Sequence, residues 1–159
     1  MLSTSRFRRL FAKKVEDQSL KFRELLVSKL QFAFPGGVVV QNEPDESDCD
    51  ISMIWAMRTI HFELAGDTKN LLNESKFFPF GKSSVEKLLN KNTPGFAVYY
   101  LGKEPTPRFF FRRADVILEK FEAVDENFHI PIDDWIPFDQ FVTKLTRVVR
   151  KTNLKPKLP

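Results

Sequence analysis

The segment Asp50-Ile51-Ser52-Met53-Ile54-Trp55-Ala56-Met57-Arg58-Thr59-Ile60-His61-Phe62-Glu63-Leu64 decides the fold class of this chain. From Thr59 onward it alternates, with Ile60, Phe62 and Leu64 on one side and Thr59, His61 and Glu63 on the other. Period-two alternation marks a strand with one buried and one wetter face. The half before it, Ile51 to Met57, is apolar on both sides, as a strand covered on both faces is. The spacing predicts one strand over 51–64, ended by the turn residues Ala65-Gly66-Asp67-Thr68.

Upstream, Phe22, Leu25, Leu26, Leu30 and Ala33 follow the three-and-four spacing of a helix over 17–34, which Pro35-Gly36-Gly37 stops. Val38-Val39-Val40 is a short strand candidate, and the acids of 42–50 define an exposed loop. That loop lacks the glycine turn and closing glutamate of an EF-hand, so no metal is assigned to it. Downstream, a helical region interrupted by Pro79 and Gly81 resumes at Ser83-Ser84-Val85-Glu86, a capping-box spacing, with Val85, Leu88 and Leu89 facing the sheet. Asn92-Thr93-Pro94-Gly95 ends it. Strands over 96–101 and 108–112 are joined by so short a link, 102–107, that they pair antiparallel. Residues 114–124 read as a strand or a short helix. Phe138, Phe141, Val142, Leu145, Val148 and Val149 define one face of a closing helix. The expected fold class is α/β, a two-layer sandwich in which helices flank a mixed sheet, with an N-terminal helical extension.

Composition narrows the function. One cysteine, Cys49, excludes an internal disulfide framework and a multi-thiolate zinc site. Two histidines, His61 and His129, leave little for a histidine-based triad, and no Gly-x-Ser-x-Gly or glycine-rich phosphate loop occurs. The longest apolar stretch falls well short of the roughly 20 residues of a membrane span. Seventeen phenylalanines imply either a phenylalanine-rich core or a face that meets a partner.

The net charge of +4 hides an asymmetry. The ends, 1–14 and 144–159, hold eleven basic residues and no acid, leaving fourteen basic residues in the middle against all 21 acids. Basic arms on an acidic body suit contact with phosphates more than readout of bases. Arg6, Arg8, Arg9, Lys13, Lys14, Arg147, Arg150, Lys151, Lys155 and Lys157 are the candidate contacts. The first residues, Met-Leu-Ser-Thr-Ser-Arg-Phe-Arg-Arg-Leu-Phe, have the cationic, hydroxyl-rich, acid-free composition of a mitochondrial transit peptide.

Residues 57–150 resemble the small thioredoxin-like domain shared by several mitochondrial ribosomal proteins and an accessory subunit of respiratory complex I. The resemblance lies in Met57-Arg58-Thr59-Ile60-His61-Phe62 as first strand, the helix from Lys82 to Asn92, Asn92-Thr93-Pro94, Pro105-Thr106-Pro107-Arg108-Phe109 and the apolar closing helix. It implies a thioredoxin-like domain over 51–151, preceded by a basic targeting-like arm (1–15) and a helical extension with the acidic loop (16–50), and followed by a basic tail (152–159). It also implies a cis proline at Pro107 and a structural, non-catalytic role. Cys49 stands alone and ahead of the domain's first strand, so disulfide exchange, which needs a low-pKa thiolate with a partner, is not expected.

The leading expectation is a structural component of the mitochondrial ribosome, in or facing the matrix, docked on neighbouring proteins and touching rRNA through its basic ends. It is expected to be no enzyme, with no cofactor, no metal and no small-molecule substrate. The complex I subunit is the first alternative. The second is an inactive nuclease-like protein that binds nucleic acid. Asp50, a strand, then Glu63-Leu64-Ala65 has the order of an acid followed by Glu-x-Lys, in which carboxylates hold magnesium and lysine stabilises the attacked phosphate. Ala65 stands where that lysine would be, so the charge developing on phosphate lacks an evident partner.

Overall fold

The computed structural model of the chain describes residues 20–43, 49–67, 76–102 and 106–154. Helix α1 covers 20–33. The strands β1 (Val38–Gln41), β2 (Ile51–Trp55) and β3 (Arg58–Asp67) follow, then β4 (Phe77–Gly81) leading directly into α2 (Lys82–Leu89). Next come β5 (Gly95–Leu101), β6 (Arg108–Arg113), α3 (Ala114–Lys120), β7 (Ala123–Val124), β8 (Asn127–Pro131), β9 (Ile136–Pro137) and α4 (Phe138–Leu154).

Six strands form the main sheet in the order β1-β2-β3-β5-β6-β9. All its ladders are antiparallel except β3 with β5, which run parallel because β4 and α2 carry the chain back between them. A small sheet, β4-β8-β7, packs beside α2 and α3. The mixed sheet with flanking helices is as expected, but helices cover both faces. Consecutive burial of Ala97, Val98 and Tyr99 in β5 is the signature of that arrangement. Phe62, Phe111 and Phe141 anchor the core beneath α1 and α4, while Phe78, Phe110 and Trp135 anchor the core beneath α2 and α3. Most phenylalanines therefore serve two cores, although Phe32 is 91% exposed.

Four local expectations are corrected. The single strand over 51–64 is a hairpin, since Ala56 and Met57 take left-handed φ of 51° and 62° and reverse the chain. A two-residue reversal normally advertises itself by Asn-Gly or Asp-Gly, and here it carries neither. The expected turn at 65–67 instead continues β3 to Asp67. Residues 77–81 are strand and not helix, and Pro79 is accommodated because β4 is an edge strand. Finally, Gly81, the last residue of β4, caps α2 without a side-chain bond, and the Lys82 N–H reaches the Glu126 carbonyl at 2.9 Å, so Ser83 is not the cap. The open reading of 114–124 resolves into α3 followed by β7. Among the described residues, no helix is long and apolar enough to cross a membrane.

Candidate functional site

Glu63 is the buried charged residue of the described chain, 4% exposed, on the face of β3 that α2 covers. The β2–β3 ladder pairs Ile51 with Phe62, so the rung beyond sets Asp50 opposite Glu63. Facing residues on one side of an antiparallel pair stand about 4.5–5.5 Å apart at Cβ, which brings the two carboxyl groups together. Asp50 is pinned: its Oδ2 accepts the Leu64 N–H at 2.8 Å, and its carbonyl accepts the Asn42 N–H at 2.9 Å. The Asn42 amide also donates to the Cys49 carbonyl at 2.7 Å and to Ser52 Oγ at 2.9 Å, closing the base of the acidic loop.

Two helices on opposite faces of the sheet each deliver one cation. Phe22, Leu26 and Leu30 bury one stripe of α1, and Arg23 beside that stripe places Nη2 2.9 Å from Asp50 Oδ1. Val85 and Leu88 bury α2, and Lys87 between them places Nζ 3.0 Å from Glu63 Oε1. That contact is an ion pair without an aligned hydrogen bond, leaving Glu63 Oε1 a buried oxygen with no well-directed donor.

Burial pushes the Glu63 carboxyl up to about 8, and a hydrogen bond with Asp50 and the charge of Asp50 push the same way against the pull of Lys87. The pair therefore retains a proton at neutral pH. Burial opposes the charge on Lys87, but the close contact with Glu63 and the nearby Asp50 carboxylate more than offset it, and its pKa is raised. Cys49, buried beside them, is pushed up to about 11, first by burial and then by Glu63, so it stays a thiol. With one proton held on the carboxyl pair, Arg23 and Lys87 face one negative charge.

A divalent cation of the magnesium kind fits these donors. Magnesium takes oxygen ligands and is commonly held by one or two carboxylates plus substrate phosphates. Asp50 and Glu63 supply two adjacent carboxyl groups, and Glu63 Oε1 lacks an aligned donor. Among the described residues no group of three or more His, Cys, Asp or Glu side chains forms, so these residues do not build an all-protein cage.

The fold has a counterpart among solved structures. Residues covering 77% of this chain superpose on 98% of Hjc, a Holliday junction resolvase of the archaeal hyperthermophile Archaeoglobus fulgidus, with a TM-score of 0.56 and 13% identity. The fold is similar to that of a junction resolvase. No family model and no curated protein matches the chain by sequence.

The site residues expected from sequence lie elsewhere. Arg6, Arg8, Arg9, Lys13, Lys14, Lys155 and Lys157 are outside the described residues, as are the side chains of Arg150 and Lys151. Arg147 is exposed on α4, remote in sequence from the carboxyl pair. Pro107 is buried at the entrance to β6. Sequence order had marked Asp50 and Glu63 as a carboxylate pair. It missed Lys87 and Arg23, whose only local signal is a cation flanking an apolar helix stripe.

Proposed function

We propose that this chain binds nucleic acid and hydrolyses its phosphodiester backbone with a divalent cation. Asp50 and Glu63 hold the cation, and Lys87 faces the attacked phosphate. The observation that carries this reading is the arrival of Lys87 beside Glu63, 3.0 Å away. It supplies, from α2, the positive charge that Ala65 withholds from β3. The case for an inactive nuclease rested on that missing charge. The resolvase-like fold supports the same reading.

A bound divalent cation supplies Lewis acidity and lowers the pKa of water in its shell. The chain's own residues do the rest. Asp50 is held rigid by Leu64 N–H and Arg23. To hold a cation, Glu63 would first release its proton to solvent. Lys87, 3.0 Å from Glu63, is placed to offset charge growing on the phosphate oxygens, a contribution of the kind that is typically about 10²–10³-fold in rate.

Labelled linear and four-way branched DNA, and RNA, incubated with magnesium or manganese, test this proposal. Cleavage by the native chain and its loss in Glu63→Gln are expected. Cleavage undiminished by that change, or none with any substrate, overturns the assignment.

A second reading is the structural component of the mitochondrial ribosome, with the complex I subunit beside it. It is favoured by exposed apolar surface on the sheet's edge, where Val38, Val40 and Ile54 share one face next to a fully exposed Met57. Sedimentation of mitochondrial extract with and without RNase separates it. An RNase-sensitive heavy fraction supports the ribosome, and an RNase-resistant one supports the respiratory complex.

A further inference from the structure

A groove lies on the face of β3 away from Glu63. It has a volume of about 430 Å³ and runs between α4 and the starts of β3 and β5. Ligand pockets commonly run from roughly 300 to 1,000 Å³, so its size suits a small molecule. Ile60, Phe96, Phe111, Phe141 and Leu145 give it an apolar lining. Arg58, Arg112 and Lys144 line it too, and none of the three has an acidic partner among the described residues. A fourth cation, Arg113, is already engaged by Asp115 at 2.8 Å. Among the described residues no acidic side chain lines the groove. The Arg112 Nε is moreover a buried donor with no acceptor.

We propose that this groove binds a small amphipathic anion: one aliphatic chain with a carboxylate or phosphate head. The chain lies along the phenylalanine and isoleucine lining, and the head meets Arg58, Arg112 and Lys144. Hydrocarbon burial and charge-assisted pairing are both satisfied by such a ligand. The basic N-terminal segment of the chain is disfavoured by like charge. This site is independent of the proposed hydrolytic centre: Ile60 and Glu63 point to opposite faces of β3.

Calorimetric titration of the full chain with dodecanoate and with dodecyl phosphate, below their micellar concentrations, tests the proposal. Dodecanol and dodecyltrimethylammonium serve as neutral and cationic controls. Saturable one-site binding of one or both anions is expected, with the cation at least about tenfold weaker, the ratio of one charge-assisted contact. Binding of dodecanoate alone identifies a carboxylate head, and of dodecyl phosphate alone a phosphate head. Arg58→Glu and Lys144→Glu, both outside the core, each weaken the anion about tenfold or more while circular dichroism stays native. Glu63→Gln leaves binding unchanged, which keeps this result separate from the hydrolysis test. Equal binding of the cationic amphiphile, indifference to both charge reversals, or shifts of the Ile60 and Leu145 methyl resonances by oligonucleotide and not by dodecanoate overturns the proposal.

Discussion

Lys87 Nζ stands 3.0 Å from Glu63 Oε1, although a strand of the second sheet separates the two residues in sequence. Together with Arg23 on Asp50, this contact ties α1 and α2 to β3 and to the residue just ahead of β2. Breaking it by Lys87→Met leaves Glu63 without its cation. Cleavage in the presence of magnesium is expected to fall by about 10²–10³-fold, the typical loss on removing one charge-stabilising group. Adding Ala65→Lys to that variant, which returns a lysine to β3, is expected to recover part of the loss. Single-turnover rates on the preferred substrate make the comparison.

Glu63 also sets a pH dependence of stability. Its carboxyl titrates near 8 when folded and near 4.5 when exposed. Between those values the folded state binds more protons than the unfolded state, so stability falls as pH rises through that window. This is the reverse of an ion-paired surface carboxylate. Denaturant midpoints in metal-free buffer should decline from pH 5 to pH 8 for the native chain, and the Glu63→Gln variant should show a flatter profile. A rising profile for the native chain contradicts the burial account.

The hairpin between β2 and β3 turns on two residues that dislike their conformation. Left-handed φ costs a non-glycine residue about 1–2 kcal/mol. Met57 is fully exposed and loses no packing when replaced. Ala56→Asn with Met57→Gly is expected to stabilise the fold by about 1–2 kcal/mol. The shift in urea midpoint at constant m-value measures it.

Gly66 shows the opposite sensitivity. A Cβ there would collide with the Tyr100 backbone oxygen and ring on the neighbouring strand. The same ring stacks on Phe22 with centroids 4.1 Å apart and planes 10° off parallel, tying α1 to the sheet. Gly66→Ala should cost about 1–3 kcal/mol, the range for overpacking. Thermal unfolding of the variant is the check.

Cys49 should be inert while the protein is folded. Its thiol is buried and pushed up to about 11, so little thiolate exists at pH 8. Ellman's reagent is expected to label it only at the rate of unfolding, and fast labelling in native buffer would contradict the assigned burial.

Much of this architecture is legible in the chain's own periodicity. Ile60, Phe62 and Leu64 mark β3, and Phe138, Phe141 and Leu145 mark α4, because burial on one face imposes a period that survives in any environment. The paired acids were likewise readable from their order along the strands. What sequence hid was the reversal at Ala56-Met57, where tertiary pairing of β2 with β3 overrides turn preference, and the strand identity of 77–81, which β8 supplies.

The sequence by itself determined a mixed sheet with amphipathic helices and a lone thiol, and it offered Asp50 and Glu63 as a carboxylate pair only within an alternative reading. Tertiary structure alone decided that helices cover both faces and that Arg23 and Lys87 meet those acids. Apolar spacing records which residues leave water, but a cation's partner is chosen by where distant elements dock, and no local pattern encodes that distance.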